Sequence, residues 1–252
     1  MAAPPTLADL GAEGCLALCA LAHSQQQRLP VSPTQHYTLE FMSLLKRQEI
    51  IETPWPASKW EQDPTAERTP LEGLEWRYVW AAYPRDGLYR ATVEHLEDLP
   101  RTEEGDECRA SIWRTLAGAE AEAFYEQQLT RHGFDSEWAR DMCYAVRETR
   151  PAMSIAKWRY CAWAAVRYGA SASLRSTNRG CDDLRELIYK ELLSRASRVA
   201  NGAWDRCELT PSHPQPRSAA SRILTSSITN LGMTFWTTTP SMEAISGKQL
   251  QR

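Results

Sequence analysis

A long, aromatic helical pattern in this chain of 252 residues, from Met153 to Arg175, limits the fold most strongly. Small and apolar residues recur along one side of it at helical spacing: Ile155, Trp158, Ala162, Ala165 and Gly169. A second side carries Tyr160, Trp163 and Val166. Because two sides suit burial, we expect a central helix packed on several faces, with Trp158 and Trp163 in its core.

Start and stop signals predict further helices from residue 106 onward. A candidate N-cap precedes each pattern, at Asp106, Asp135, Asp183 and Ser218. Glu186 follows three residues after Asp183, as a capping box requires. Gly133 and Gly202 are the candidate stops of the helices predicted for residues 107–131 and 183–200. This half of the chain is therefore predicted to be an α-helical bundle.

The first helical pattern covers residues 13–26 and is apolar on nearly every side of its centre, Cys15–Ala22. A secretion signal needs positive charge before such a run, whereas Asp9 and Glu13 precede this one. We therefore interpret it as a buried helix. No apolar run reaches the length of a membrane span, so we expect no membrane contact and a cytoplasmic location.

A second helix and two strands are predicted to follow. Ser32 is the candidate cap of the helix, with Pro33 at its first position and Gln35 completing a capping box. Ile50 and Ile51 begin an extended segment, and WRYVW (76–80) alternates with a period of two. With LLKRQEII (44–51), these motifs make residues 13–83 similar to a winged helix-turn-helix module. The resemblance implies a small α/β fold with a helix that reads DNA.

Charge argues against DNA reading by this half. Residues 1–107 contain nine Lys and Arg and about twice as many Asp and Glu. Contacts with phosphate groups need a basic face. We therefore expect the winged-helix-like part to contact protein.

Arginines are concentrated between Lys157 and Arg222. The candidate nucleic-acid-binding residues are Arg175, Arg179, Arg195 and Arg198. Arg195 and Arg198 lie about one turn apart on a predicted helix, and the other two precede it. Arginine interleaved with tryptophan and tyrosine suits nucleic acid binding. The alternatives are a solvated basic face, and a face that docks an acidic partner such as the chain's own acidic half.

Catalytic and metal-binding motifs are absent from the sequence. It has no glycine-rich phosphate loop, HExxH or GxSxG, and its seven cysteines form no CxxC pair. We therefore expect free thiols, no metal site and no cofactor. Glu122 and Glu126 share a helical face without a Glu-x-x-His partner, so we interpret this face as solvated. Cys143, near Arg140 and Tyr144, lacks a pattern that would indicate an activated thiol.

The sequence thus predicts a mainly α protein, in which a small winged-helix-like α/β module precedes an α-helical bundle. Its predicted parts are an acidic module (1–105), a basic helical domain (106–236) and a flexible tail (237–252), with the charged RTEEGDE stretch (101–107) as linker. The favoured function is a non-catalytic adaptor or regulatory subunit with a protein partner. The alternative is a nucleic-acid-binding protein, or a subunit of a bacterial defence or mobile-element nucleoprotein complex. An enzyme without a known motif is the third possibility.

Overall fold

The computed structural model of this chain describes residues 6–52, 77–80, 85–175, 180–204 and 206–247. These residues are mainly α-helical, as predicted, and include one short antiparallel sheet. No helix among them has both the length and the apolar character needed to cross a membrane.

The regular elements are as follows, in chain order. They are α1 (Leu7–Gln27), α2 (Gln35–Arg47), β1 (Ile51–Glu52), β2 (Arg77–Tyr78), α3 (Arg85–Glu97), α4 (Glu103–Arg131), α5 (Asp141–Glu148), α6 (Ile155–Arg175), α7 (Cys181–Ala200), α8 (Ala219–Ile223) and α9 (Met242–Gly247). Short 3₁₀ helices cover Ser136–Arg140 and Gly232–Trp236, and a π-helical turn, Leu224–Ile228, continues α8.

The chain divides into two compact units. The first combines Met1–Ile112 with Gln215–Gly232, and the second combines Trp113–Pro214 with Met233–Arg252. The boundary predicted between residues 105 and 106 lies inside α4. The segment predicted as a flexible tail carries α9, in which Ile245 is buried, and residues 248–252 lie outside the described residues.

Helix α1 is the core of the first unit. Thr6 and Asp9 form a capping box that starts its first turn at Leu7: Asp9 N donates to Thr6 Oγ1, and Thr6 N donates to Asp9 Oδ2. Gly11, with φ +65°, interrupts the helix, so its continuous part starts close to the predicted residue 13. Every side chain from Cys15 to Leu21 is fully buried, which confirms the predicted buried helix. Helices α2, α3 and α8 pack against α1.

The connection after α1 is tied to the start of α8. Ala219 N donates to Pro30 O at 2.8 Å, and Ala220 N donates to Val31 O at 2.9 Å. Ser218 caps α8 as predicted, because its hydroxyl accepts a hydrogen bond from Ser221 N. A late segment of the chain therefore completes the environment of α1.

The cap of α2 differs from the prediction. Thr34 caps the helix, accepting a hydrogen bond from Tyr37 N, so the prediction of a Ser32 cap was wrong. Ser32 is buried, and its hydroxyl donates a hydrogen bond to Thr34 O at 2.7 Å and shares another with the Thr38 hydroxyl at 2.8 Å. A hydroxyl held in this way is not free to cap a helix two residues later.

Two strands lie where the sequence placed them. Ile51 pairs with Tyr78, and Glu52 pairs with Arg77, in an antiparallel register. Trp76, the first residue of the predicted second strand, lies outside the described residues. Four paired residues do not define a winged helix, so that resemblance stays a prediction.

Most of the stretch predicted as a linker, residues 101–107, is helical. Helix α4 begins at Glu103, where the Thr102 hydroxyl accepts a hydrogen bond from Gly105 N. Acidic residues in its first turn complement the helix dipole. Asp106, the predicted cap, therefore lies inside the helix.

A buried arginine holds the α3–α4 corner. The side chain of Arg109 is fully buried, and its guanidinium donates to Pro100 O at 2.9 Å, to Asp106 Oδ1 at 3.0 Å and to Leu99 O. Because the corner is so tight, a Cβ at Gly105 would stand 2.0 Å from Pro100 O. This helical position therefore requires glycine.

Helices α6 and α7 pack closely in the second unit. A Cβ at Gly169 of α6 would stand 2.3 Å from Ile188 Cγ1 of α7, so glycine permits the approach. Trp158 is buried as predicted, whereas Trp163 is only half-buried at the edge of the core. The predicted helix and one of its two core tryptophans are thus confirmed.

Capping in the second unit agrees with the sequence in part. Asp135 caps the 3₁₀ helix before α5 through Glu137 N. Asp183 was predicted as the cap of α7 but is its third residue, with its carboxylate accepting a hydrogen bond from Gly180 N at 3.3 Å. The prediction was wrong because Gly180, which has no side chain, is the N-cap of this helix. Gly133 ends α4 as predicted, with φ +73° and a hydrogen bond from Phe134 N to Leu129 O.

Candidate functional site

The structure does not bring the four candidate arginines together. Arg175 is the last residue of α6 and is exposed, and Arg179 lies outside the described residues. Gly169 faces Ile188, and Tyr160 lies within electrostatic range of Arg195, so α6 and α7 run antiparallel. With a rise of about 1.5 Å per residue, Arg175 and Arg195 are then roughly 20 Å apart along the helix pair.

Arg195 is neutralised within its own helix. Its Nη2 lies 2.6 Å from Glu191 Oε1, one turn earlier, and about a fifth of its side chain is exposed. Arg198 is exposed and has no carboxylate within salt-bridge distance in the described part of the chain. Of the predicted set, Arg198 is thus the residue at this end of α7 with uncompensated charge.

Trp204 packs beside both arginines. The Arg198 Cζ lies 5.1 Å from the centroid of the Trp204 ring, and the Arg195 Cζ lies 5.6 Å from it. Both distances are within the range of cation–π attraction. The half-buried indole therefore restrains two guanidinium groups.

A glycine turn places this tryptophan. Gly202 has φ +70°, its N–H donates to Val199 O at 3.2 Å, and Ala203 N donates to Arg198 O at 2.9 Å. These bonds form a Schellman motif, which ends α7 and reverses the chain. Gly202, the predicted stop, thereby directs Trp204 back over the last turns of the helix.

The segment after Trp204 is fixed along α6. Leu209 N donates to Ala156 O at 2.9 Å, and Arg159 Nε donates to Leu209 O at 3.0 Å. Burial raises the pKa of the Tyr160 hydroxyl, its hydrogen bond with Cys207 adds to this effect, and the charge of Arg195 opposes it. Tyr160 therefore links this segment to Arg195.

Trp163 and Arg167 form a second pair of an aromatic and a cationic residue, next to Tyr160. The rings of Tyr160 and Trp163 are 6.1 Å apart, and the Arg167 Cζ lies 4.8 Å from the Trp163 centroid. We name these two groups, which the electrostatic interaction between Tyr160 and Arg195 links, the arginine–tryptophan surface: Tyr160, Trp163, Arg167, Arg195, Arg198 and Trp204. In the described part of the chain, the exposed Arg167 has no carboxylate partner.

Sequence analysis found two members of this surface, Arg195 and Arg198, and missed the tryptophan contacts. A usable signal existed for Trp163 and Arg167, which are spaced by four residues on one helix. For Trp204, the signal was its position two residues after the stop glycine Gly202. Glycine at the end of a helix reverses the chain, so the residue that follows it can return to the last turn.

The Glu122–Cys143 pair is a candidate site with a structural explanation. Glu122 is buried, so the prediction that it lies on a solvated face was wrong. The Cys143 thiol donates to Glu122 Oε2 at 3.1 Å, and burial together with this carboxylate raises the pKa of Cys143 to about 12. A thiol with so high a pKa stays protonated near neutral pH and is a poor nucleophile.

A second buried group ties α5 to α7. The Asp141 carboxylate accepts from Arg185 Nε at 3.0 Å and from Arg185 Nη2 at 2.7 Å. Burial raises the pKa of the nearby Tyr125 well above its usual range, and the charge of Asp141 adds to this effect. The paired geometry satisfies the aspartate, which is the arrangement of a structural salt bridge.

None of the seven cysteines, all of which lie in the described residues, forms a disulfide bond, as predicted, and burial raises the pKa of Cys15, Cys19 and Cys161 to about 12. Within the described ranges, no three His, Cys, Asp or Glu side chains are grouped so that they could hold a metal ion.

Comparisons with protein families, curated proteins and solved structures find no match to this chain.

Proposed function

We propose that this protein is a non-catalytic adaptor or regulatory subunit that acts through contacts with another protein. The observation that carries the proposal is the arginine–tryptophan surface. Tryptophan, tyrosine and arginine are the residue types most enriched among those that dominate binding energy at protein interfaces. Here all three types occur in the second unit, in a Tyr160–Trp163–Arg167 group and an Arg195–Arg198–Trp204 group.

The surface is held in shape before any partner binds. The Schellman motif at Gly202 fixes Trp204, and Arg159 anchors the segment that follows it. Side chains that are already ordered lose less conformational entropy on association. A preorganised surface of this kind is suited to lasting contact with one protein.

The distribution of charge favours a protein partner over a nucleic acid. Glu191 neutralises Arg195, and Arg175 lies roughly 20 Å from it along the helix pair. A nucleic-acid strand carries charge at every phosphate and is bound by a continuous basic groove. Isolated cations beside aromatic rings suit protein side chains better.

The rest of the proposal follows the sequence. We propose that residues 13–83 form a winged-helix-like module that contacts protein, because this half carries an excess of acidic residues. Seven cysteines that form no disulfide bond support a reducing compartment such as the cytoplasm.

Co-purification with variants tests the adaptor function. The tagged full chain is recovered from its source cells in four forms: wild type, Arg198→Ala, Trp204→Ala and the control Arg175→Ala. Arg175 is an exposed arginine outside the surface. We expect a protein recovered in stoichiometric amount with wild type and the control, and depleted with the other two. Equal recovery with all four forms contradicts the proposal, provided that the variants melt like wild type.

Nucleic acid binding is the second candidate function, including membership of a bacterial nucleoprotein complex. The observation in its favour is that Arg167 and Arg198 are exposed and lie beside tryptophan rings. Retention on single-stranded DNA that falls steeply with salt, and is reduced by Arg198→Ala, would support it. Flow-through at low salt counts against it.

A further inference from the structure

We propose that the outward face of α6 packs against an acidic, amphipathic helix of the partner protein. This inference rests on the proposed adaptor function and adds the kind of partner that the function needs. The face consists of five residues of one helix, which we name the α6 seam: Tyr160, Trp163, Arg167, Ala170 and Leu174.

The spacing of the seam residues is that of a helix-packing surface. Along α6 they recur at alternate intervals of three and four positions. This is the spacing of the a and d positions of a heptad, which lie on one side of a helix and pack against a second helix. At about 1.5 Å per residue, the seam extends for roughly 21 Å. Because all its residues belong to one regular helix, their shared face follows from α6 alone.

The seam points away from the core of its unit. Ala162 and Ala165, on the opposite side of α6, are fully buried. Leu174 is 86% exposed, the largest exposed fraction among the large apolar side chains of the described residues. Arg167 is also exposed, and the other three seam residues are half-buried. A contact that covers the seam would therefore remove apolar surface from water, which favours association.

Side chains of the seam are ordered by contacts within α6. The rings of Tyr160 and Trp163 are 6.1 Å apart, and the Arg167 Cζ lies 4.8 Å from the Trp163 centroid. A guanidinium attracted to a ring still has N–H donors for a carboxylate, which it can bind through two parallel hydrogen bonds. Arg167 is therefore a positioned cation in the middle of an otherwise uncharged seam.

Charge decides which helix the seam accepts. Helix α6 contains no Asp or Glu, so Arg167 has no acidic residue on its own helix to neutralise it. A partner helix with Asp or Glu opposite Arg167 supplies the missing charge, and its apolar residues at heptad spacing cover Trp163 and Leu174. The small side chain of Ala170 leaves room for a larger apolar residue of that helix.

Two other occupants suit the seam less well. Two copies of this chain packed seam to seam about a two-fold axis bring the central Arg167 of each copy close to the other, and like charges repel. A nucleic-acid strand carries a charge at every phosphate, whereas the seam has one cation along its roughly 21 Å. The observations therefore favour an acidic helix of a different protein.

Site-specific photo-crosslinking with the full chain tests the inference. The photoreactive residue p-benzoylphenylalanine replaces Leu174 in one form and Arg131 in a control form. Arg131 is likewise exposed at the end of a long helix of the second unit, and it lies outside the seam. After illumination in the source cells, mass spectrometry identifies the linked peptide. We expect the Leu174 form alone to link to a peptide of another protein that has apolar residues at heptad spacing and an Asp or Glu among them.

Charge reversal assigns the contact to Arg167. With the photoreactive residue at position 174, Arg167→Glu should lower the yield of linked product about fivefold, because repulsion replaces an exposed ion pair. Arg167→Lys should retain most of the yield, since the charge remains. Replacing the facing acidic residue of the partner helix by lysine should restore the yield with Arg167→Glu.

Arg175→Glu is the matched control for charge. Arg175 is exposed next to Leu174, but one residue corresponds to a rotation of about 100° around the helix, so it lies beside the seam. This variant should leave the yield unchanged. Melting temperatures confirm that each variant is folded.

Four outcomes overturn the inference: no linked product, a link to a second copy of this chain, a link to nucleic acid, or equal yields with Arg167→Glu and Arg175→Glu. The co-purification experiment remains independent of the crosslink. A partner lost with Trp204→Ala but never linked at position 174 would retain the adaptor function and reject docking on the α6 seam.

Discussion

Each unit of the molecule contains a long helical element, α1, which is interrupted at Gly11, in the first and α6 in the second, and the two are used differently. In the first unit, α1 buries every side chain from Cys15 to Leu21. In the second, α6 buries Trp158, Ala162 and Ala165 but leaves Trp163 half-buried and Arg167 exposed. A helix enclosed on all sides can only stabilise its unit, whereas a helix enclosed on one side also presents a surface.

The arginines of the two units differ in the same way. Arg109 of the first unit is buried, and its terminal guanidinium nitrogens donate hydrogen bonds to Asp106 and to backbone carbonyls. Arg167 and Arg198 of the second unit lie beside exposed edges of the core. Composition alone does not separate these roles, because burial decides whether a cation stabilises the fold or meets a partner.

The largest expected effect separates the two sides of α6. Trp158→Ala should lower the free energy of unfolding by about 3–5 kcal/mol, because the indole is buried in the core. Trp163→Ala should cost less than half of that, since the indole is half-buried. Denaturant unfolding measures both. Equal losses would show that α6 is enclosed on both sides, like α1.

Arginine removal extends the comparison across the units. Arg109→Ala should cost roughly 3–5 kcal/mol, because it removes the hydrogen bonds that Arg109 donates to Asp106 and to two carbonyls in a buried corner. Arg185→Ala should cost about 1–2 kcal/mol, since that side chain is nearly half exposed and water can reach Asp141. Chemical denaturation measures both losses of unfolding free energy. Equal losses for Arg185→Ala and Arg109→Ala would contradict the distinction between a half-exposed and a buried arginine.

Glycine-to-alanine changes sharpen the account of helix packing. Gly169→Ala should destabilise the protein by about 1–3 kcal/mol, because the new Cβ would overlap Ile188. Gly118→Ala is the matched change in α4, where no atom lies within 4 Å of the new Cβ. It should stabilise the protein by about 0.4–1 kcal/mol. A lower melting temperature for Gly169→Ala and a higher one for Gly118→Ala would support the close approach of the two helices. Shifts of both melting temperatures in the same direction would contradict it.

The smallest expected effect concerns two matched helix ends. Gly202→Ala and Gly133→Ala should each cost about 1 kcal/mol, because alanine is strained at positive φ. Only Gly202→Ala should also displace Trp204 and lower the amount of partner protein that co-purifies. Thermal melts and partner recovery together decide the point. Equal recovery with both variants would mean that the turn does not position the surface.

Helix positions were predictable from sequence because periodicity reflects burial directly. The pattern from Met153 to Arg175 matches α6 within two residues. Helix starts were less predictable, since several polar side chains near each start compete to be the cap. Ser32 lost this competition to Thr34 because its hydroxyl is held by Thr38 and a carbonyl.

The candidate site was predictable only in part, since its contacts depend on tertiary geometry. Arg195 and Arg198 follow from the charge pattern, and the Glu191–Arg195 spacing of four residues already indicated neutralisation. The place of Trp204 depends on the left-handed turn at Gly202. The separation of Arg175 depends on the antiparallel packing of α6 and α7, which no local pattern encodes.

The hydrogen bonds from Ala219 and Ala220 to the segment after α1 have a consequence for biosynthesis. Helix α1 leaves the ribosome before α8, which packs against it and emerges about 190 residues later. At roughly 5–20 residues per second, the nascent chain carries an incompletely covered apolar helix for about 10–40 s. Holding chaperones would act in this interval, and translation that stalls before residue 219 would leave a product prone to aggregation.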